Sequence, residues 1–249
     1  MISTSNGNGR LCNKIFRNVI MNIIAKNNNL QINYECYDEI NNKMGILLYI
    51  GEKVYDKLIN IEDDNFHLFI DRIDLNANIR NKNDDCYYQT QIASRYIFDY
   101  INGYSKNSII QKNPFANRYQ NNNDCFIHIR LDDAAQHNPG IDYYLQTIKL
   151  IFDRVDNIYI SSDSPQHFMI QNILQTIPKT KLYEDNQNIF HILQFSSTCR
   201  YIILSHGSFS AIIGYLAFYS DSVFYPDYNR IKKFWFGDMF SIDERFTKI

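Results

Sequence analysis

Residues 125–225 constrain the fold most, because short apolar runs there alternate with segments of helical periodicity. The pattern predicts strands at 125–130, 158–161, 181–183, 200–204 and 223–225, separated by helices at 141–154, 165–176, 189–195 and 209–218. Strands that alternate with helices imply a parallel sheet covered on both faces. Three of these strands end in polar groups: His128-Ile-Arg-Leu-Asp-Asp133, Ser161-Ser-Asp163 and Leu204-Ser-His-Gly-Ser-Phe-Ser210. In open α/β sheets ligands bind beyond the carboxyl ends of the strands. Three polar ends in one sheet therefore suggest one shared site.

The amino-terminal half reads less sharply. An extended piece at 1–4 leads to the loop Ser5-Asn-Gly-Asn-Gly9. Ile15, Val19, Ile20, Ile23 and Ile24 then recur at helical spacing, and Leu30-Gln-Ile-Asn-Tyr34 alternates like a strand. This is a βαβ opening. Farther on, residues 66–70 are expected to form a strand and 92–101 a helix. The polar stretch 113–124 is expected to link the halves. The expected domains are 1–118 and 119–249.

A chain of 249 residues can bury a sizeable core. Its net charge of -2 gives no general attraction to nucleic acid or anionic membranes. Five scattered cysteines without a C-x-x-C argue against a disulfide framework or a structural zinc site. No apolar run approaches a membrane span and no secretory signal is visible, so a soluble, cytoplasmic protein is expected.

Each candidate residue has an ordinary alternative. Arg130 can clamp a phosphate bidentately or can simply pair with a neighbouring aspartate. His128 shares its face by the two-residue period and is either a ligand contact or a satisfied interior histidine. Ser205, Ser208 and Ser210 with the start of the next helix form an anion pocket or a plain N-cap. Asp163 or Ser164 can cap the helix that Pro165 begins. Asp132 and Asp133 can chelate a nucleotide's divalent ion, although other acidic doublets occur by chance in this chain. No G-x-S-x-G occurs, and Cys12 interrupts a dinucleotide-binding glycine pattern.

In order along the chain, the motifs resemble those of the α-1,2-fucosyltransferases and related GDP-fucose-dependent transferases. Gly9-Arg-Leu-Cys-Asn-Lys-Ile-Phe16 is similar to G-R-L-G-N-Q-x-F, and His128-Ile-Arg-Leu-Asp-Asp133 to H-x-R-R-G-D. Asp142-Tyr-Tyr144 fits a Tyr-Tyr pair and Ser161-Ser-Asp163 an S-D-D. Residues 199–210 resemble C-K-x-x-I-x-x-N-S-S-F-S, and Val223-Phe-Tyr-Pro226 also fits. Leu131, Asp132, Cys12 and His206-Gly207 depart from the pattern, and no motif covers the middle, about 40 to 120.

The resemblance implies an α/β fold of GT-B type, two Rossmann-like halves with a cleft between them. It implies a metal-independent, inverting glycosyltransferase that moves fucose or a related deoxysugar from a GDP-sugar to a glycan acceptor. The nucleotide sugar is a co-substrate, and no other cofactor, nucleic acid or membrane span is expected. Arg130 would hold the β-phosphate, and Asp133 is the first candidate for general base. His128, Asp132, Asp163, Ser205, Ser208, Phe209 and Ser210 would bind the donor. Gly9, Arg10 and Asn13 would serve the acceptor side. The competing readings are a metal-dependent nucleotide-sugar enzyme using Asp132 and Asp133, and a non-catalytic carbohydrate-binding protein that keeps the fold.

Overall fold

The computed structural model of the chain describes residues 2–228 and 239–249. Its contacts divide into two units, 1–112 and 113–249.

In the first unit the βαβ opening forms as the pattern predicts. β1 (Ser3–Ser5) leads through the glycine loop to α1 (Leu11–Asn27) and then to β2 (Ile32–Tyr34). Met1 lies outside the described residues. Helix α1 buries Ile15, Val19, Ile20 and Ile24 of the stripe visible in the sequence, and Phe16 beside them, while Ile23 is partly exposed. Two short strands, β3 (Leu58–Ile61) and β4 (Asn78–Asn81), complete a parallel sheet of order β2-β1-β4-β3. The strand expected at 66–70 is instead a 3-10 turn, Phe66–Leu68. The amide of Phe66 bonds back to the Glu62 carbonyl, and Leu68 is 63% exposed, so the run is curled by local bonds and has no half-buried alternation. Helix α2 (Gln91–Asp99) fills the expected place, capped by the Thr90 hydroxyl on the Ala93 amide, and α3 (Lys106–Lys112) ends the unit.

The second unit opens with the segment expected as a linker, which is tied down. The Asn113 amide group donates to the Gln194 carbonyl and the Ser197 hydroxyl, and Asn122 donates to the Thr198 carbonyl. By contacts the division falls after Lys112. Among the described residues six parallel strands follow: β5 (Cys125–Ile129), β6 (Ile158–Ser162), β7 (Thr180–Leu182), β8 (Tyr201–Ile203), β9 (Ser222–Tyr225) and β10 (Phe246–Lys248). Their order is β10-β9-β8-β5-β6-β7. Read from β7, this is the 3-2-1-4-5-6 order of dinucleotide-binding sheets. The chain moves outward from β5, then returns to its other side at β8.

Helices α4 (Ile141–Ile151), α5 (Phe168–Thr176), α6 (Ile189–Ser196) and α7 (Gly207–Tyr215) connect the strands. Strand β5 is buried along its whole length, as a central parallel strand must be. Helix α5 starts at Phe168 and not at Pro165, because the His167 ring, not Asp163 or Ser164, accepts from an amide of its first turn. Helix α7 starts at Gly207, ahead of the expected 209. Inside it, a Cβ on Gly214 would lie 2.9 Å from the Phe246 ring, so the absent side chain lets α7 settle on β10.

Candidate active site

Strands β5 and β8 are neighbours with Ile127 opposite Ile203, so residues 128–130 and 204–206 leave the sheet side by side. This is the topological switch point of the second unit, where the fold leaves a crevice for a ligand. The sequence places its densest polar chemistry here.

His128 is buried, and its Nδ1 lies 2.6 Å from the Ser210 hydroxyl. Ser210 Oγ also accepts from the Ser205 amide at 3.2 Å, which ties the first turn of α7 to the end of β8. The His128 ring packs 4.9 Å from that of Phe209. Burial, with repulsion from His206 and Arg130, pulls the His128 pKa down to about 3, so its imidazole is neutral at ordinary pH.

Arg130 follows. Its Nε and Nη2 both approach Asp133 Oδ1, at 3.2 and 2.8 Å. Its Nη1 lies against Gly207, where a Cβ would come within 2.6 Å. The backbone around it is fixed from two sides. Asn138 donates both to the Arg130 carbonyl and to the Tyr144 hydroxyl, and Asp163 Oδ1 accepts from the Leu131 amide at 2.8 Å. Asp163 thus holds the strand-end loop and does not cap α5. Leu131 is 6% exposed and joins Ile129, Tyr143 and Tyr144 in the core, so the position where the resembled motif has its second arginine faces inward here. Asp132 is exposed beside it.

On the β8 side, Ser205 is buried with its hydroxyl 3.1 Å from His206 Nδ1. The Tyr143 hydroxyl donates to the Leu204 carbonyl, and that of Tyr228 to the Ser205 carbonyl. Ser208 and Phe209 are partly exposed in the first turn of α7. The His206 side chain makes no capping bond to that helix, whose opening amides form a partial positive charge. His206 is buried, its ring 5.8 Å from that of His137. Burial, Arg130 and His137 lower its pKa to about 3. His206 and Asn138 stand at this strand end without having been candidates in the sequence reading, which took Gly207 only as permitting the tight turn. The departure at 206–207 was the available signal, and Asn138 offered none.

Gly9, Arg10 and Asn13 belong to the first unit, at the end of β1. Gly9 has φ +107 and lies against Asn13, while Arg10 is the extended N-cap of α1. Asn13 Oδ1 accepts from Gln89. The fully buried Arg17, also missed, organises this loop by donating to the carbonyls of Asn8, Asp84 and Cys86. Cys12 is a core residue of α1.

Among the described residues, no group of three His, Cys, Asp or Glu side chains is placed to hold a metal ion. The acidic doublet is instead divided, since Asp133 pairs with Arg130.

No protein-family model and no curated protein sequence matches the chain. Solved structures do. The fucosyltransferase NodZ from Bradyrhizobium aligns over 89% of this chain and 94% of its own, with TM-score 0.50 and 13% identity. A NodZ α-1,6-fucosyltransferase soaked with GDP-fucose aligns over 93% and 96%, with TM-score 0.52 and 11% identity. One co-crystallized with GDP aligns over 89% and 93%, with TM-score 0.51 and 12% identity. The likeness at these identities is one of fold. The chain has the α/β architecture of GT-B type that its motifs led us to expect.

Proposed function

We propose that this chain is an inverting, metal-independent glycosyltransferase that moves fucose or a related deoxysugar from a GDP-sugar to a glycan acceptor. One observation carries the reading: the Arg130 guanidinium, braced by Asp133, lies against the first residue of α7 at the switch point. A nucleoside diphosphate is the leaving group that such an arrangement suits. Its charge grows as the glycosidic bond breaks, and fixed donors aimed at that charge lower the barrier. Arginine and helix-start amides supply there what a divalent ion supplies elsewhere.

In this reading Ser208 adds its hydroxyl to the phosphates, Ser205, Phe209 and Ser210 shape the pocket wall, and neutral His128 serves the nucleoside side. Asp163 keeps the strand-end loop in place. The bond of Asp133 to Arg130 supports an orienting role over that of general base. Asp132, exposed next to Arg130, reads the donor sugar, and Asp132→Gly should shift the preference between donors in competition kinetics. Gly9, Arg10 and Asn13 serve the acceptor side. The motifs resemble an α-1,2 family, whereas the neighbours are described as α-1,6 enzymes. Product linkage analysis decides between them. All five cysteines are free thiols, which supports a cytoplasmic setting.

The test is thermal stabilisation by GDP, UDP, dTDP and CDP in the presence of a chelator. GDP alone should raise Tm, and ligand at ~100 times its Kd adds about 2.7 kcal/mol to apparent stability. Stabilisation that needs Mn²⁺ or Mg²⁺, or none by any nucleotide, overturns the reading.

A further inference from the structure

We propose that Gly207 is a positioning residue for Arg130: the side chain it lacks is the berth that guanidinium Nη1 enters. The berth itself follows from geometry, and only the choice of ligand in its test rests on the donor reading above. A Cβ at 207 would meet Nη1 at 2.6 Å, well inside contact, and the next atom it would meet is the Arg130 Cζ at 3.9 Å. Among the described residues the obstacle is thus the end of one flexible side chain, so a methyl group here displaces the guanidinium. Gly207 also has φ +83, so glycine is favoured there for its backbone as well, and the two reasons need separating.

The berth decides which edge of Arg130 a ligand meets. Asp133 Oδ1 takes Nε and Nη2, which leaves the Nη1–Nη2 edge for bidentate contact. Because Nη1 rests on the first residue of α7, an oxyanion on that edge sits at the opening turn of the helix. The cation and the amides then act on the same group. Moving Nη1 off Gly207 separates them.

Gly207→Ala in the wild-type and Arg130→Ala backgrounds tests this, with GDP and inorganic pyrophosphate binding measured by calorimetry. Backbone strain acts in both backgrounds, whereas the berth matters only when Arg130 is present. We expect a tenfold or greater loss of affinity in the wild-type background and less than twofold in the other. Without ligand, the Arg130 guanidinium NMR signal, identified by its absence in Arg130→Ala, should shift in Gly207→Ala. Equal losses in both backgrounds, or an unshifted signal, overturn the proposal. A wild-type chain that binds neither probe refutes the donor reading, and the unliganded NMR comparison still decides the berth. If Gly207→Ala does not fold, recovery of folding in the Arg130→Ala background supports the proposal. Failure to recover overturns it.

Discussion

Arg130 directs two nitrogens to one carboxylate oxygen and a third toward the backbone of Gly207, a use of the planar fork that lysine cannot copy. Arg130→Lys should therefore resemble Arg130→Ala in donor KM, each losing about 1.5–3 kcal/mol of charge-assisted bonding. Steady-state kinetics showing a lysine variant near wild type would contradict the assignment. The buried histidines make a second prediction. Their pKa values of about 3 lie below the ordinary ~6.5 of an unfolded chain, so the unfolded state binds more protons between those limits. Stability is then complete above pH ~6.5 and falls as pH drops toward 3, by at most ~1.4 kcal/mol per unit for each histidine. Urea midpoints between pH 7 and 5, above most carboxylate titration, should decline in the wild type and less steeply in His128→Gln. A flat wild-type profile would mean that neither ring is held neutral by burial.

At the scale of elements, most of the second unit was legible because its central strands are apolar runs that stop where polar groups begin, whereas β10, with Thr247 and Lys248, was not anticipated. Two of the unit's helix starts were misread by two or three residues, since a histidine ring caps α5 and α7 opens on a glycine, and neither is a usual signal, whereas α4 and α6 start where expected. The first unit hid more. Asparagines there fill interior places: Asn22 accepts from the Tyr34 hydroxyl and the Tyr49 amide, Asn28 accepts from Leu75, and buried Asn78 bonds both ways with Tyr55. Periodicity counts such residues as solvent-facing, so β4, with Asn78 and Asn81 buried, gave no pattern. The loop after β5 supplies the prediction at this scale. Leu131→Arg would restore the motif's second arginine, yet it puts an unpaired charge in the core and should cost ~3 kcal/mol or more by denaturant unfolding. Asp163→Ala should cost only ~1 kcal/mol, the value of its bond to the Leu131 amide. A stable, more active Leu131→Arg variant would show that the position faces the ligand.

For the molecule as a whole, the described partners of Arg130, Asp133 and Gly207, lie within residues 113–249, a unit with its own sheet and core. Expressed alone, that unit should keep GDP affinity within a few-fold while losing transfer, because Gly9, Arg10 and Asn13 are gone. Calorimetry on the fragment checks it, and a folded fragment without affinity would show that the first unit holds the nucleotide too. Gly214 carries a different consequence. It sits seven residues along α7 from Gly207, roughly 10 Å at 1.5 Å per residue, and it fixes how deeply the helix beds against Phe246. On the donor reading proposed above, a shift at the far end of so short a helix would carry to the end proposed to meet the ligand, as an adjusting screw does. Selection for altered donor preference could then act at 214 or 246, out of reach of any substrate, and leave every residue of the pocket unchanged.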